Sequence, residues 1–488
     1  MKKFTYILPI LLCWTVSSFA QNVSWGLPSK TQEEQGFEVQ WVADGTEFIY
    51  KVKSKYDLSI FDTRVIVEKY KFSNLEKLGE ETISKKEPRF TNNGIFQKEG
   101  LDFLFFAREF KGGELVLSWQ DVNIATGAKG TRTEIARIKG KNINNSGRFI
   151  VAQSADKEYY AVLQEQMFVK KTNEKVAISL FDKNFKLVKT VSYQYPYLAK
   201  RGPIHNLYVS DEGDVYLVKN VKQPKMKPFL SLFYWDQTKN SLTEHSLKLE
   251  NNLQILQFQG QFQDNSLFIQ GVFTTEGSKG IQMKVGYAGS EGATANGILA
   301  AKFTKGKKDY LQMNKTDRLY NVNLKAFEIG DEKTFGMFDR LFVEKKNKPG
   351  TTNTDFQYDY FYSYSGFYMA MLDNATGKLD WLSTIEDEEP KSKNDGGDLL
   401  SYVYHIGEEN IVVFYNDTRK GYRYPVKEVY DMKGARVSKA DIFKPGLGGT
   451  GGTYFNLSMD TFFPLRDNIY LIKAKSAVES KLGKMQLN

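Results

Sequence analysis

Glu386-Asp387-Glu388-Glu389, followed by Asp395 and Asp398, gathers carboxylates into one short stretch of this 488-residue chain. A hard cation takes about six to eight oxygen ligands. Glu386, Asp387, Glu388, Asp395 and Asp398 are therefore the residues suited to calcium, although their spacing matches no EF-hand; a solvated acidic loop is the alternative. No other cofactor is expected. His205, His245 and His405 stand far apart, without the spacing of a zinc site. Ala288 to Gly292 (AGSEG) has Ala where a nucleophile elbow needs its first Gly. Gly446 to Gly452 (GLGGTGG) lacks the lysine of a phosphate-binding loop and reads as a connection. Paired acids for glycoside hydrolysis can meet across a channel, but no spacing singles out a pair.

The second chemical feature is aromatic. In FQYDYFYSY, strand alternation would put Phe356, Tyr358, Tyr360, Tyr362 and Tyr364 on one face. Rings with polar tips combine area, rigidity and hydrogen bonding, as a protein or glycan contact needs. Burial against a neighbouring sheet is the competing reading.

The elements that must position these residues repeat. A polar turn followed by an apolar strand begins at Asp44, Glu99, Asp156, Asp211, Asp264, Asp331, Glu408 and Asp467, with a period of about 55 residues and two longer intervals. A second phrase follows in each unit: alternating apolar residues around Asp and a few polar residues, as in Ile178 to Val191 and Val429 to Ile442. It reads as an outer hairpin. Each unit thus offers four strands, and Asp156 to Lys171, which also fits an amphipathic helix, is read as strand by register. The fold class is all-β: a β-propeller of eight blades, with seven as the alternative because the Asp331 anchor is the weakest. Insertions fall around 277–297 and 345–366. The last unit holds only three strands, so Asn22 to Pro28, including Trp25, is expected to supply the fourth and close the ring.

Lys2 and Lys3, the apolar run Tyr6 to Val16 and Ser18-Phe19-Ala20 describe a secretory signal peptide over 1–20, leaving one propeller domain over 21–488. The only cysteine, Cys13, would leave with it. The expected location is periplasmic, outer-membrane-associated or extracellular, with no transmembrane segment. The formal charge of +9 is spread along the chain without a basic, base-stacking cluster, which argues against nucleic acid. Phrases near the C-terminus (VYDMK, NLS, IYLIK) also suit a secretion-sorting domain, but the same residues complete the eighth blade.

Asp373-Asn374-Ala375-Thr376-Gly377-Lys378-Leu379-Asp380-Trp381 resembles the tryptophan-docking motif of quinoprotein alcohol dehydrogenase-like propellers, many of them eight-bladed. The resemblance implies structural roles: Asp373, Thr376 and Gly377 shape a turn and Trp381 packs between blades. The calcium and catalytic residues of the dehydrogenases do not map onto this chain, so the resemblance points to the non-enzymatic envelope scaffolds of that superfamily. The expected function is a noncatalytic propeller binding an envelope protein or glycan. A secreted hydrolase or lyase with an acidic site in the channel is the alternative.

Overall fold

The computed structural model describes residues 23–27, 29–30, 37–45, 47–57, 62–83, 90–142, 145–167, 169–198, 204–221, 229–249, 253–275, 289–291, 294–347, 358–386, 391–393, 402–419, 422–442, 456–466, 468–476 and 479–487. Among them every regular element is a β-strand. The strands form eight antiparallel sheets, each with the four-strand order of a propeller blade. Blade one starts at Phe37, two at Phe90, three at Arg148, four at Ile204, five at Gln254, six at Val322, seven at Tyr402 and eight at Asn456. Eight blades replace the seven-bladed alternative. The weak sixth anchor is a real turn, in which Gly330 N–H donates to Lys333 O at 2.8 Å. Residues 156–165 carry a turn and a strand, not a helix.

The first strands of successive blades approach one another, which places them around the central channel. Their edges find no strand partner in the next blade, so side-chain amides bond them instead. Gln257 Oε1 accepts from Leu324 N–H at 2.7 Å and Gln259 Nε2 donates to Lys325 O at 3.1 Å. Gln40 and Gln153 reach Ile95 O and Gln97 O in the same way. Apolar cores lie between adjacent blades: Leu104, Phe106 and Tyr160 join blades two and three, and Leu180, Tyr195 and Phe233 join three and four.

The ring is closed by the N-terminus. Val23, Ser24 and Trp25 pair with Met485, Lys484 and Gly483 of the last strand, and Ser29–Lys30 continues along it. Trp25 is half-buried against the core containing Ile472 and Met485. Lys484 Nζ then donates to Phe72 O and Ser73 O of blade one at 3.0 and 2.9 Å. Ile469–Lys475 is the second strand of blade eight, as the blade reading of the C-terminus requires.

Antiparallel order splits the connections between two faces. The repeated phrases lie on one, where turns are short because Asp and Asn bond their own backbone. Asp264 and Asn265 both have positive φ, +48° and +59°, as a two-residue hairpin turn needs. At the outer hairpins Asp431 Oδ1 accepts from Lys433 and Ala435 N–H, each at 2.9 Å. The long connections leave from the other face. There the second and third strands of blade six, Lys333–Asn347 and Tyr358–Asp373, run beyond the body of the blade. Gly289–Glu291 pairs with the first of them and Lys391–Lys393 with the second, so the two insertions meet in one raised sheet.

Candidate functional site

The docking motif folds as a clasp between blades. Asp373 Oδ1 accepts from Thr376 N–H at 2.9 Å and Thr376 Oγ1 at 2.7 Å, and Gly377 takes the φ of +70° that closes the turn. These bonds and Lys333 hold the half-buried Asp373 carboxyl down at about 2. Trp381 crosses to blade seven, where its Nε1 donates to Met432 O at 2.9 Å. A Cβ at Gly434 would lie 2.8 Å from the Trp381 ring, so the indole sits on bare backbone.

The aromatic stretch does not form one exposed ridge. Phe356 lies outside the described residues, and Tyr358 opens the third strand of blade six. Tyr360 is 37% exposed, Tyr362 is half-buried against the core and Tyr364 is buried at 1%. The strand descends from the raised sheet into the blade, so equal alternation does not give equal exposure, and Tyr364 is a core residue. Of the acidic set, Glu386 pairs with Arg340 at 3.4 Å on the surface, whereas Asp387, Glu388, Asp395 and Asp398 lie outside the described residues. Among the described residues no three His, Cys, Asp or Glu side chains gather as metal ligands. Ser290 stands on a short strand, away from the strand-to-helix turn of a nucleophile elbow.

Another site lies on the face that carries the long connections. A cavity of about 1240 Å³ opens at blade three, lined by Asn145, Arg148, Glu165, Gln166, Glu174, Lys175, Tyr193 and Gln194 among others. Three strand ends build it. Arg148 begins the first strand, Glu165 ends the second, and Asn173–Lys175 begins the third. A register shift between Asn173 and Lys175 sets Glu174 opposite the stretch Tyr195-Pro196-Tyr197 of the outer strand. Lys219 of blade four binds both Glu174 oxygens, at 2.9 and 2.8 Å. Arg148 Nε donates to Glu165, whose charge lies close enough to act on the Glu174 carboxyl.

Burial outweighs Lys219 here and, with the neighbouring Glu165, holds the Glu174 carboxyl above the usual range. Beneath the floor, Tyr195 is fully buried and its hydroxyl makes no hydrogen bond. Its ring lies under Lys219 Nζ at 4.9 Å, and burial pushes the phenol well above its ordinary value. Nearby, Tyr197 donates to Glu244, which also accepts from Ser231 Oγ at 2.7 Å. Burial and Glu244 push Tyr197 up to about 12. No local pattern in the sequence points to this group, because Arg148, Glu165, Glu174 and Lys219 come from four strands in two blades.

In the channel, Glu328 is exposed to solvent, and Tyr404 and Tyr470 feel its charge. His405 Nδ1 lies 2.7 Å from the Tyr470 hydroxyl. Packing of the inner strands around its carboxyl holds Glu328 above the usual carboxylate range, and burial holds His405 below the usual imidazole range.

No family model and no curated protein matches the sequence. Among solved structures, the chain is similar to the β-propeller domain of the Trilobed protease from Pyrococcus furiosus, at 10% identity and a TM-score of 0.36, over 84% of this chain and 99% of that one. It is similar to the polysaccharide lyase Uly1 at 11% identity and a TM-score of 0.36, over 92% and 99% of the two chains. It is also similar to Chaetomium thermophilum Sqt1, solved bound to the N-terminus of ribosomal protein L10, at 11% identity and a TM-score of 0.37, over 89% and 93%. No helix among the described residues is long and apolar enough to cross a membrane.

Proposed function

We propose that this chain is an exported, noncatalytic propeller that binds a glycan of the cell envelope in the blade-three cavity. The observation that carries the reading is the cavity's lining. Asn145, Gln166, Asn173 and Gln194 offer paired donors and acceptors, and Tyr193 offers a ring, which together match a polyhydroxylated ligand. The carboxyl pair favours binding over hydrolysis. Glycosidase acids stand about 5–5.5 or 6.5–9.5 Å apart across the scissile bond. Here both carboxyls are tied to cations instead, Glu165 to Arg148 and Glu174 to Lys219. The kinship proposed is with the non-enzymatic scaffolds among tryptophan-docking propellers, supported by the Trp381 clasp. Tyr360 on the raised sheet extends the same face as a second contact.

The hydrolase or lyase reading has one observation behind it, the Glu328, His405 and Tyr470 group in the channel. One experiment separates the two. Calorimetric titration of the full chain with envelope oligosaccharides should give binding that Gln166→Ala/Gln194→Ala weakens at least tenfold without moving the Tm. No new reducing ends or unsaturated products should appear on incubation. Product formation abolished by Glu328→Gln would replace the binding reading with the enzymatic one.

A further inference from the structure

We propose that the ligand of the blade-three cavity is an anionic oligosaccharide; this rests on the glycan-binding reading and specifies its chemical class. The cavity's two acids are already engaged, Glu165 by Arg148 and Glu174 by Lys219. Around them, Lys139 and Lys175 line the cavity, and Lys141, Lys170 and Lys171 stand exposed on the segments that frame it. None of these five makes a side-chain ion pair with another described residue.

Several lysines elsewhere on the molecule are compensated by an acid. Lys183 pairs with Glu158, Lys305 with Glu212, Lys346 with Glu344, and Lys333 with both Asp373 and Asp380. The cavity mouth therefore carries uncompensated positive charge over a floor whose charges cancel. A cleft of one sign concentrates ligands of the other. The polar lining narrows the choice of anion. Amides and a single tyrosine ring suit hydroxyls and one sugar face, whereas single-stranded nucleic acid is held by successive stacked aromatics. A lipid surface would need a broad apolar contact, and of the exposed large apolar residues only Val169 is at this site.

The test uses the full chain and four soluble probes of matched length: oligogalacturonate, oligoalginate, a chondroitin sulfate oligosaccharide and neutral maltoheptaose. At least one anionic probe should bind at least tenfold more tightly than the neutral one in 20 mM salt, and the preference should shrink at 300 mM. Lys139→Gln/Lys175→Gln should remove the preference, while Lys139→Arg/Lys175→Arg retains it. Binding of sulfated but not uronate probes would identify sulfate as the anion. Equal binding of neutral and anionic probes, lost in Gln166→Ala/Gln194→Ala, would overturn the charge inference and leave the glycan reading standing. Binding of none, or of phosphatidylglycerol vesicles alone, would overturn both.

Discussion

Glu68 is the clearest case of one residue holding a blade together. It is buried at 2% exposure on the third strand of blade one. Lys53 and Lys77 donate to its Oε1 at 2.8 and 2.7 Å, Tyr70 to its Oε2 at 3.0 Å, and Lys51 lies at 3.9 Å. Burial alone would raise its pKa, but the lysine bonds and charges win and bring it down to about 2 from 4.5. A folded value below the unfolded one stabilises the protein above the unfolded pKa, and this contribution is lost as pH falls toward 2. The shift is worth about 3 kcal/mol. Urea midpoints should therefore fall between pH 4.5 and 2. Glu68→Gln should flatten that decline and lose about 3–5 kcal/mol at neutral pH, because buried Lys51 and Lys53 lose their counter-ion. An unchanged acid limb in the variant would remove Glu68 from this role. Glu428 holds the matching place in blade seven, where Tyr415 donates to it at 2.9 Å and Arg436 and Lys439 lie within 3.3 Å.

Blades are joined by side chains that do the work of backbone ladders. Asn416 of blade seven donates to Leu457 O at 2.7 Å and accepts from Leu457 N–H at 2.9 Å, copying one strand pairing across the gap to blade eight. Both residues are buried. Asn416→Ala should leave two buried backbone groups unpaired, at about 1–3 kcal/mol each. The expected result is a stability loss of about 3 kcal/mol by urea unfolding, with faster amide exchange in residues 456–466; a loss below 1 kcal/mol would mean that the edge is satisfied another way. These elements were legible in the sequence wherever turn chemistry marked them. Asp264-Asn265, Asp373 to Gly377 and Asp431 each announce a turn by residue type, and the strands between follow. The blade-three cavity was not legible, since its charged residues sit at strand ends that no local pattern connects. The aromatic stretch was half legible: alternation placed Tyr360, Tyr362 and Tyr364 on one face but could not say how steeply the strand sinks into the core.

At the scale of the molecule, stability depends on one short seam. Val23–Trp25 and Ser29–Lys30 are the only described strands that blade eight receives from outside its own unit. Deleting residues 23–30 should bare the edge of Glu479–Gln486. An open edge of this kind recruits strands from other chains. The shortened protein should melt several degrees lower and elute as oligomers on size exclusion, whereas a monomer with the parent Tm would show that the seam is dispensable.

The same seam orders events in time. Val23–Trp25 is made before every other described strand and its partner Glu479–Gln486 after all of them, so the ring stays open until that strand exists. Early blades can form their own hairpins, but the seven inter-blade cores accumulate without the eighth contact that locks them. Unfolding then runs in reverse, and release of either side of the seam frees the other. A protein built this way reports damage to the seam as loss of the whole, and a protease that removes Val23–Lys30 would in effect unlatch the ring.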